Sequence, residues 1–292
     1  MGVYVGISGW TYEPWRGTFY PPGLPVRRQL AYVAERMTSV EINGTFYALQ
    51  RPSSYATWAT QVPEDFVFAV KGGRFVTHMK KLVDVEVPLA NFFASGVLAL
   101  GRRTGPILWQ FPATFRCDVE RFAAFLDLLP RTAGEAAELA LRRDDKLPDD
   151  RVLTVAPDPE LRMRHAFEVR HASFRDPAFF DLLRQHDAAL VVADNPGLWP
   201  VFEEVTAGFV YVRLHGHEQL YASGYDDASL DTWAAKVRDW AARGLDVYVY
   251  CDNDAKVRAP YDAMKLLASL DAIHLLERLG RGRGDVLPYF SE

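Results

Sequence analysis

The sequence predicts a single closed α/β barrel, a (β/α)8 or TIM barrel, on three observations. Eight short apolar stretches recur along the 292 residues. Helix-like segments separate them, and repeated strand–helix alternation builds a parallel sheet that closes on itself. Nearly every stretch ends in a polar or charged residue, and C-terminal strand ends are where such barrels carry their chemistry. The length suits one barrel of about 250 residues with modest loops.

The predicted strands are Val3–Ser8, Ser39–Asn43, Phe66–Lys71, Ile107–Gln110, Ala166–His171, Ala189–Asp194, Phe209–His215 and Val247–Asn253. A loop rich in Trp, Tyr, Gly and Pro, residues 9–25, follows the first strand, because such residues favour turns over helix. A helix is expected over Arg27–Met37. The next opens at Pro52-Ser53-Ser54, where Pro and Ser suit a helix start. Further helices are expected over Pro88–Leu100, Val119–Leu129, Pro177–His186, Leu230–Arg243 and Pro260–Leu270. Residues 131–164 break the rhythm. Arg131–Arg143 reads as helix and 144–150 as a charged surface loop, together an insertion between helix 4 and strand 5 on the barrel's N-terminal face. The barrel domain is assigned to 1–278, and 279–292 to a Gly- and Arg-bearing tail of the kind that stays mobile.

Composition narrows the function. The chain is 49% hydrophobic and 24% charged, with a net charge of -5. An acidic balance disfavours a general nucleic-acid surface. Two cysteines in no ligand spacing, Cys117 and Cys251, point to a reducing compartment without a disulfide framework. No basic-then-apolar leader and no long apolar run are present, so a cytoplasmic protein without a membrane span is expected. The pattern implies no particular oligomeric state.

Side chains alternate along a strand, so polar residues sort by parity. Glu41 and Asn43 share a face. So do Glu168 and Arg170, and so do Tyr211, Arg213 and His215. Lys71, Gln110 and Asp194 end the third, fourth and sixth strands, and either Asp252 or Asn253 turns inward on the eighth. Outward faces pack on apolar helices and accept charge only at high cost, which sends these groups to the interior mouth. Arg170 and Arg213 can clamp a phosphate or carboxylate bidentately. Glu41, Glu168, Asp194 and His215 are the candidates for proton transfer, with His171 a second imidazole. Trp10 and Tyr47, among the aromatics of the first two loops, are candidates to stack on a flat ring. His78, in the loop after the third strand, is placed within reach of the mouth. The competing reading is a salt-bridged plug in which each Arg neutralises the acid on the adjoining strand.

The motifs around these positions resemble one family. Gly6-Ile7-Ser8-Gly9-Trp10-Thr11-Tyr12 and Trp15-Arg16-Gly17-Thr18-Phe19-Tyr20-Pro21 are similar to the opening of the YecE-like family, the domain of unknown function numbered seventy-two. The likeness continues through Val40-Glu41-Ile42-Asn43-Gly44-Thr45-Phe46-Tyr47, Phe68-Ala69-Val70-Lys71, Thr77-His78, Gln110-Phe111-Pro112, Glu168-Val169-Arg170-His171 and Val212-Arg213-Leu214-His215-Gly216. The resemblance implies a TIM-barrel fold and supplies motif residues without a reaction. Near strand eight the family shows an aromatic followed by two asparagines, whereas this chain has Tyr250-Cys251-Asp252-Asn253.

The expectation is therefore an enzyme using acid/base chemistry on a small anionic substrate, phosphorylated or nucleotide-like. Asn43, Lys71, Gln110, Arg170, His171, Arg213, Trp10, Tyr47, His78 and Asn253 would bind it. A divalent-metal hydrolase or isomerase is the first alternative, with Glu168, Asp194, His215 and Asp252 as ligands, although Arg170 and Arg213 on the same faces would repel a cation. A non-catalytic module binding nucleic acid or protein is the second.

Overall fold

The computed structural model describes residues 2–270. The 279–292 tail lies outside the described residues. Nine parallel strands form one sheet: β1 (Val3–Ser8), β2 (Ser39–Ile42), β3 (Val67–Lys71), β4 (Thr104–Gln110), β5 (His165–Glu168), β6 (Ala189–Leu190), β7 (Val192–Asp194), β8 (Phe209–Leu214) and β9 (Asp246–Cys251). Neighbours run in the order β6, β5, β4, β3, β2, β1, β9, β8, β7. Val191 alone separates β6 from β7, so the two ends of that order meet and the sheet closes.

The predicted sixth strand is thus one stave that changes partners midway. Ala189 and Leu190 pair with β5, and Val192–Asp194 pair with β8. At the change, the Leu190 N–H turns to the Thr206 hydroxyl (2.8 Å), which itself donates to the Ala188 carbonyl (2.7 Å). A side chain supplies the bond that an unbroken ladder would have made.

The helices are α1 (Gln29–Ala34), α2 (Gly44–Tyr47), α3 (Pro52–Thr60), α4 (Glu86–Ala94), α5 (Val119–Leu128), α6 (Ala133–Ala140), α7 (Pro177–Gln185), α8 (Asp227–Ala242) and α9 (Ala259–Ser269). None is long and apolar enough to cross a membrane. Caps explain several boundaries. Asp226 accepts from the Ser229 N–H, so α8 begins ahead of the predicted Leu230. The predicted 88–100 helix breaks at Gly96, whose φ of +119° ends α4 and whose missing Cβ leaves room for Pro52. The 131–164 insertion lies along α4, rather than only beneath the barrel. Arg142 pairs with Glu86 (2.5 Å), Asn91 donates to Asp144 (3.0 Å), and the Leu153 N–H donates to the Ala94 carbonyl (2.8 Å).

The barrel interior is lined by Ala69, Leu108, Ala166, Ala189, Val191, Ala193, Phe209, Tyr211, Tyr248 and Tyr250. Large tyrosines on β8 and β9 face small residues across the lumen, which fills it without a pore. At the N-terminal end Arg164 closes the floor on Asp246 (2.7 Å) and the Tyr248 hydroxyl (2.9 Å). Gly6 of β1 lies directly opposite Ser39 of β2. A Cβ there would lie 1.9 Å from the Ser39 carbonyl oxygen, which a real side chain avoids only by spreading the two strands. Gly6→Ala is expected to lower unfolding free energy by about 3 kcal/mol, at the upper end of overpacking costs, measured by urea denaturation, while Gly17→Ala, with open space around it, should cost only about 1–2 kcal/mol from its positive φ.

Candidate active site at the barrel mouth

Parity delivers most of the predicted groups to one place. Glu41, Glu168, Arg213 and His215 are all fully buried, stacked directly above the tyrosine layer. Arg213 is the hub. Its Nε and Nη2 donate to Glu41 (3.1 and 2.9 Å), Nη1 donates to Glu168 (2.7 Å), and Nη2 also contacts Ser8 Oγ (3.0 Å) and Asp252 Oδ2 (2.9 Å). Glu41 further accepts from the Ser8 and Tyr211 hydroxyls. Arg170 donates from Nε to Glu168 (2.7 Å) and from Nη2 to Tyr221 Oη (3.2 Å), and stacks on Trp199 with Cζ 4.1 Å from the ring centre. The His215 Nδ1–H donates to Asp252 (2.9 Å), and its Nε2 stands 3.4 Å from Glu168 without hydrogen-bond alignment.

This arrangement corrects the expected anion clamp. Every nitrogen of Arg213 is taken by the protein, and Arg170 is bound to Glu168 and sandwiched by Trp199. Carboxylates reach these guanidiniums first: Glu41 and Glu168 come to Arg213 from across the mouth, Asp252 comes from the neighbouring β9, and Arg170 meets Glu168 of its own strand. Only the Asp252 pair has the adjoining-strand form of the plug reading. It also corrects the proton-transfer candidates Glu41 and Glu168. Burial alone would push the Glu168 carboxyl up, but Arg170, Arg213 and His215 outweigh it and hold the group well below the usual carboxylate range. Glu168 is thus a fixed anion beneath the site, and Glu41 is fully occupied by Arg213 and the Ser8 and Tyr211 hydroxyls.

Four predicted residues point elsewhere. Asp194 has the opposite parity to Ala193 and accepts from the Tyr225 hydroxyl (2.7 Å). Asn253 is buried toward α9, donating to Asp262 (2.7 Å) and the Ser223 carbonyl (2.8 Å), so Asp252 is the inward member of that pair. His171 turns away and accepts from the Ser173 N–H (3.1 Å), opening a short 3-10 turn. Trp10 packs edge-on against Trp58 (5.3 Å between centres). The four expected metal ligands are therefore not gathered: Asp194 is absent, and Arg213 occupies Glu168 and Asp252. Among the described residues no group of three His, Cys, Asp or Glu is placed to hold a metal ion.

Above the charge layer opens a cleft of about 710 Å³ lined by Tyr12, Asn43, Phe46, Tyr47, Lys71, Arg74, His78, Met79, Gln110, Tyr221, Asp252 and Asp254. Lys71, Asn43, Gln110, Tyr47 and His78 were legible from the sequence. Arg74, Tyr221 and Asp254 were missed, though Asp254 shares parity with Asp252 and Arg74 follows Lys71 by three residues. The Lys71 side chain is 8% exposed, and its Nζ lies 4.7 Å from the centre of the Phe46 ring. Burial, then the Arg213 charge, lowers its pKa, against partial opposition from Glu41, Asp252 and Glu168. Asp252 is held below its usual range: burial raises it, but Arg213 and the His215 hydrogen bond outweigh burial. Burial and then the charge of Asp252 push the Asp254 carboxyl up. His78, close to Lys71, Arg170 and Arg74, is lowered to about 4, with burial the largest cause.

A parallel barrel whose strand ends carry a charged layer under an open polar cleft is the ordinary architecture of a barrel enzyme. The chain belongs to the family described as protein of unknown function DUF72, whose model matches residues 4–280. It is similar to the UPF0759 protein YunF of Bacillus subtilis, 22% identical over 92% of this chain and 95% of the relative. It is also similar to the UPF0759 protein YecE of Escherichia coli K12, 30% identical over 44% of each chain. A crystal structure of a DUF72 family protein from Thermotoga maritima superimposes with a TM-score of 0.72 at 26% identity, covering 93% of this chain and all of that one. A second, from Enterococcus faecalis, gives 0.69 at 18% identity.

Two measurements probe the charge layer. Glu168→Gln leaves Arg213 and Arg170 short of a buried counter-charge and should cost about 3–5 kcal/mol in chemical denaturation. The depressed Glu168 pKa means that its stabilisation is fully present above its ordinary pKa of 4.5 and is lost as pH falls through the lower folded value. The stability of the variant should consequently fall less steeply below that pH. Separately, the His78 ring protons should titrate by NMR with a midpoint near 4, and a normal midpoint would mean that the ring is not held part-buried beside Lys71, Arg170 and Arg74.

Proposed function

We propose that the protein is an enzyme acting on a small anionic substrate, phosphorylated or nucleotide-like, seated in the mouth cleft and transformed by acid/base chemistry. The observation that carries this reading is Lys71. The cations beneath it are satisfied by carboxylates, whereas the Lys71 amine faces the cleft against an aromatic ring. Lys71 on the floor and Arg74 at the rim attract the anion, the work first assigned to Arg170 and Arg213. Tyr12, Phe46, Tyr47 and Tyr221 offer ring faces to a base or sugar. Asp252 and Asp254 have pKa values displaced in opposite directions, a pattern that separates a standing base from a proton donor. Asp252 is the base, aimed by His215, and Asp254 the acid.

The test is a panel of phosphorylated sugars and nucleotides scored for turnover and for thermal stabilisation. Lys71→Met and Asp252→Asn should each lower kcat/KM by about 100-fold or more, and Tyr47→Ala should chiefly raise KM. A panel in which nothing turns over and inorganic phosphate leaves Tm unchanged removes the reading. So does turnover that survives both substitutions.

A further inference from the structure

Lys71 has a second property that anion binding does not use. It ends β3 inside the mouth, its ammonium makes no ion pair among the described residues, and its tip rests on Phe46. Each of the three acids under it is engaged elsewhere: Glu41 and Glu168 by Arg213, Asp252 by Arg213 and His215. A lysine meant only to balance charge would sit on one of those oxygens. The Lys71 backbone is also fixed, since its carbonyl accepts from the Thr45 hydroxyl (2.6 Å), so the amine is presented from a rigid strand end.

From this placement we infer that Lys71 is a nucleophile that forms an imine with a carbonyl carbon of the substrate, making the substrate an aldehyde or ketone that bears an anionic group. The inference rests on the reading of the cleft as an active site and narrows its substrate class. The step balances without a further reactant. The Nζ lone pair attacks the carbonyl carbon, a C–N bond forms, and the carbinolamine oxygen leaves as water with both protons of the amine. The Asp254 carboxyl at the cleft wall, its proton affinity raised by burial and by Asp252, is the group to lend the proton that makes water the leaving group and to take back the one the nitrogen gives up. Burial and the Arg213 charge keep the amine more often neutral than a surface lysine, and only the neutral amine attacks.

The experiment is reductive trapping of the whole chain with sodium cyanoborohydride at pH 7, using glyoxylate as an anionic aldehyde and glycolaldehyde as a neutral one, read by peptide mass spectrometry. Lys71 should be alkylated at least tenfold faster than the exposed Lys146 and Lys256 of the same molecules, and glyoxylate should outpace glycolaldehyde at Lys71 alone. Lys71→Arg, which keeps the charge, should lose that label and retain native circular dichroism. The comparison among lysines of one chain stands even if the variant does not fold. Equal labelling of the three lysines overturns the inference. Inorganic phosphate titrated in parallel separates the two claims. Phosphate that raises Tm without fast labelling of Lys71 leaves the anion site and removes the imine. Fast labelling without any phosphate effect keeps the imine and removes the anion reading.

Discussion

The structure depends on one guanidinium. Arg213 has no solvent exposure, and it binds Glu41 from β2, Glu168 from β5, Asp252 from the end of β9 and Ser8 from β1. Burying a single one of these ions unpaired would cost several kcal/mol. Together they satisfy one another, and the network ties staves from opposite sides of the barrel. The backbone ladder fixes the order of neighbouring strands, and the charge layer adds direct bonds between strands that are not neighbours, β8 to β2 and β5.

That saturation decides where chemistry can occur. Groups fully committed to one another cannot also move a proton or grip a ligand without breaking the layer. On the function proposed above, chemistry falls to the groups that lie on top of it and are only partly engaged: the Lys71 amine, the second carboxylate oxygen of Asp252, and the Asp254 carboxyl. Burial and then the Arg213 charge lower Lys71, while Arg213 and the His215 hydrogen bond overcome burial and keep Asp252 ionised.

The fold was legible from eight apolar stretches alternating with helices, and the location of the candidate site from period-two alternation within those stretches. The inward set Glu41, Glu168, Arg213 and His215 could be written down by parity alone. What alternation does not encode is which partner a charged group finds once inside. Arg213 looked like a ligand clamp because carboxylates that capture it lie 45 and 172 residues away in the chain, whereas Arg170's partner Glu168, two residues back on the same face, was open to view as the competing plug. Asp194 and Asn253 failed for a simpler reason: each is one residue out of phase with its inward neighbour, at strand ends where the ladder stops and parity is hardest to assign. Tyr221 had no local signal, since its position comes from a loop that folds back over Arg170.

The barrel also has an order of completion written into it. Ser8 and Arg213 are 205 residues apart, Glu41 and Arg213 172. During synthesis the acids of β2 and β5 emerge long before the arginine that neutralises them. An incomplete barrel lacking β8 and β9 would have to bury bare carboxylates at several kcal/mol each, which disfavours a stable half-barrel. Closure then waits for the last third of the chain, and the long loops that it must span place this molecule among the slow folders.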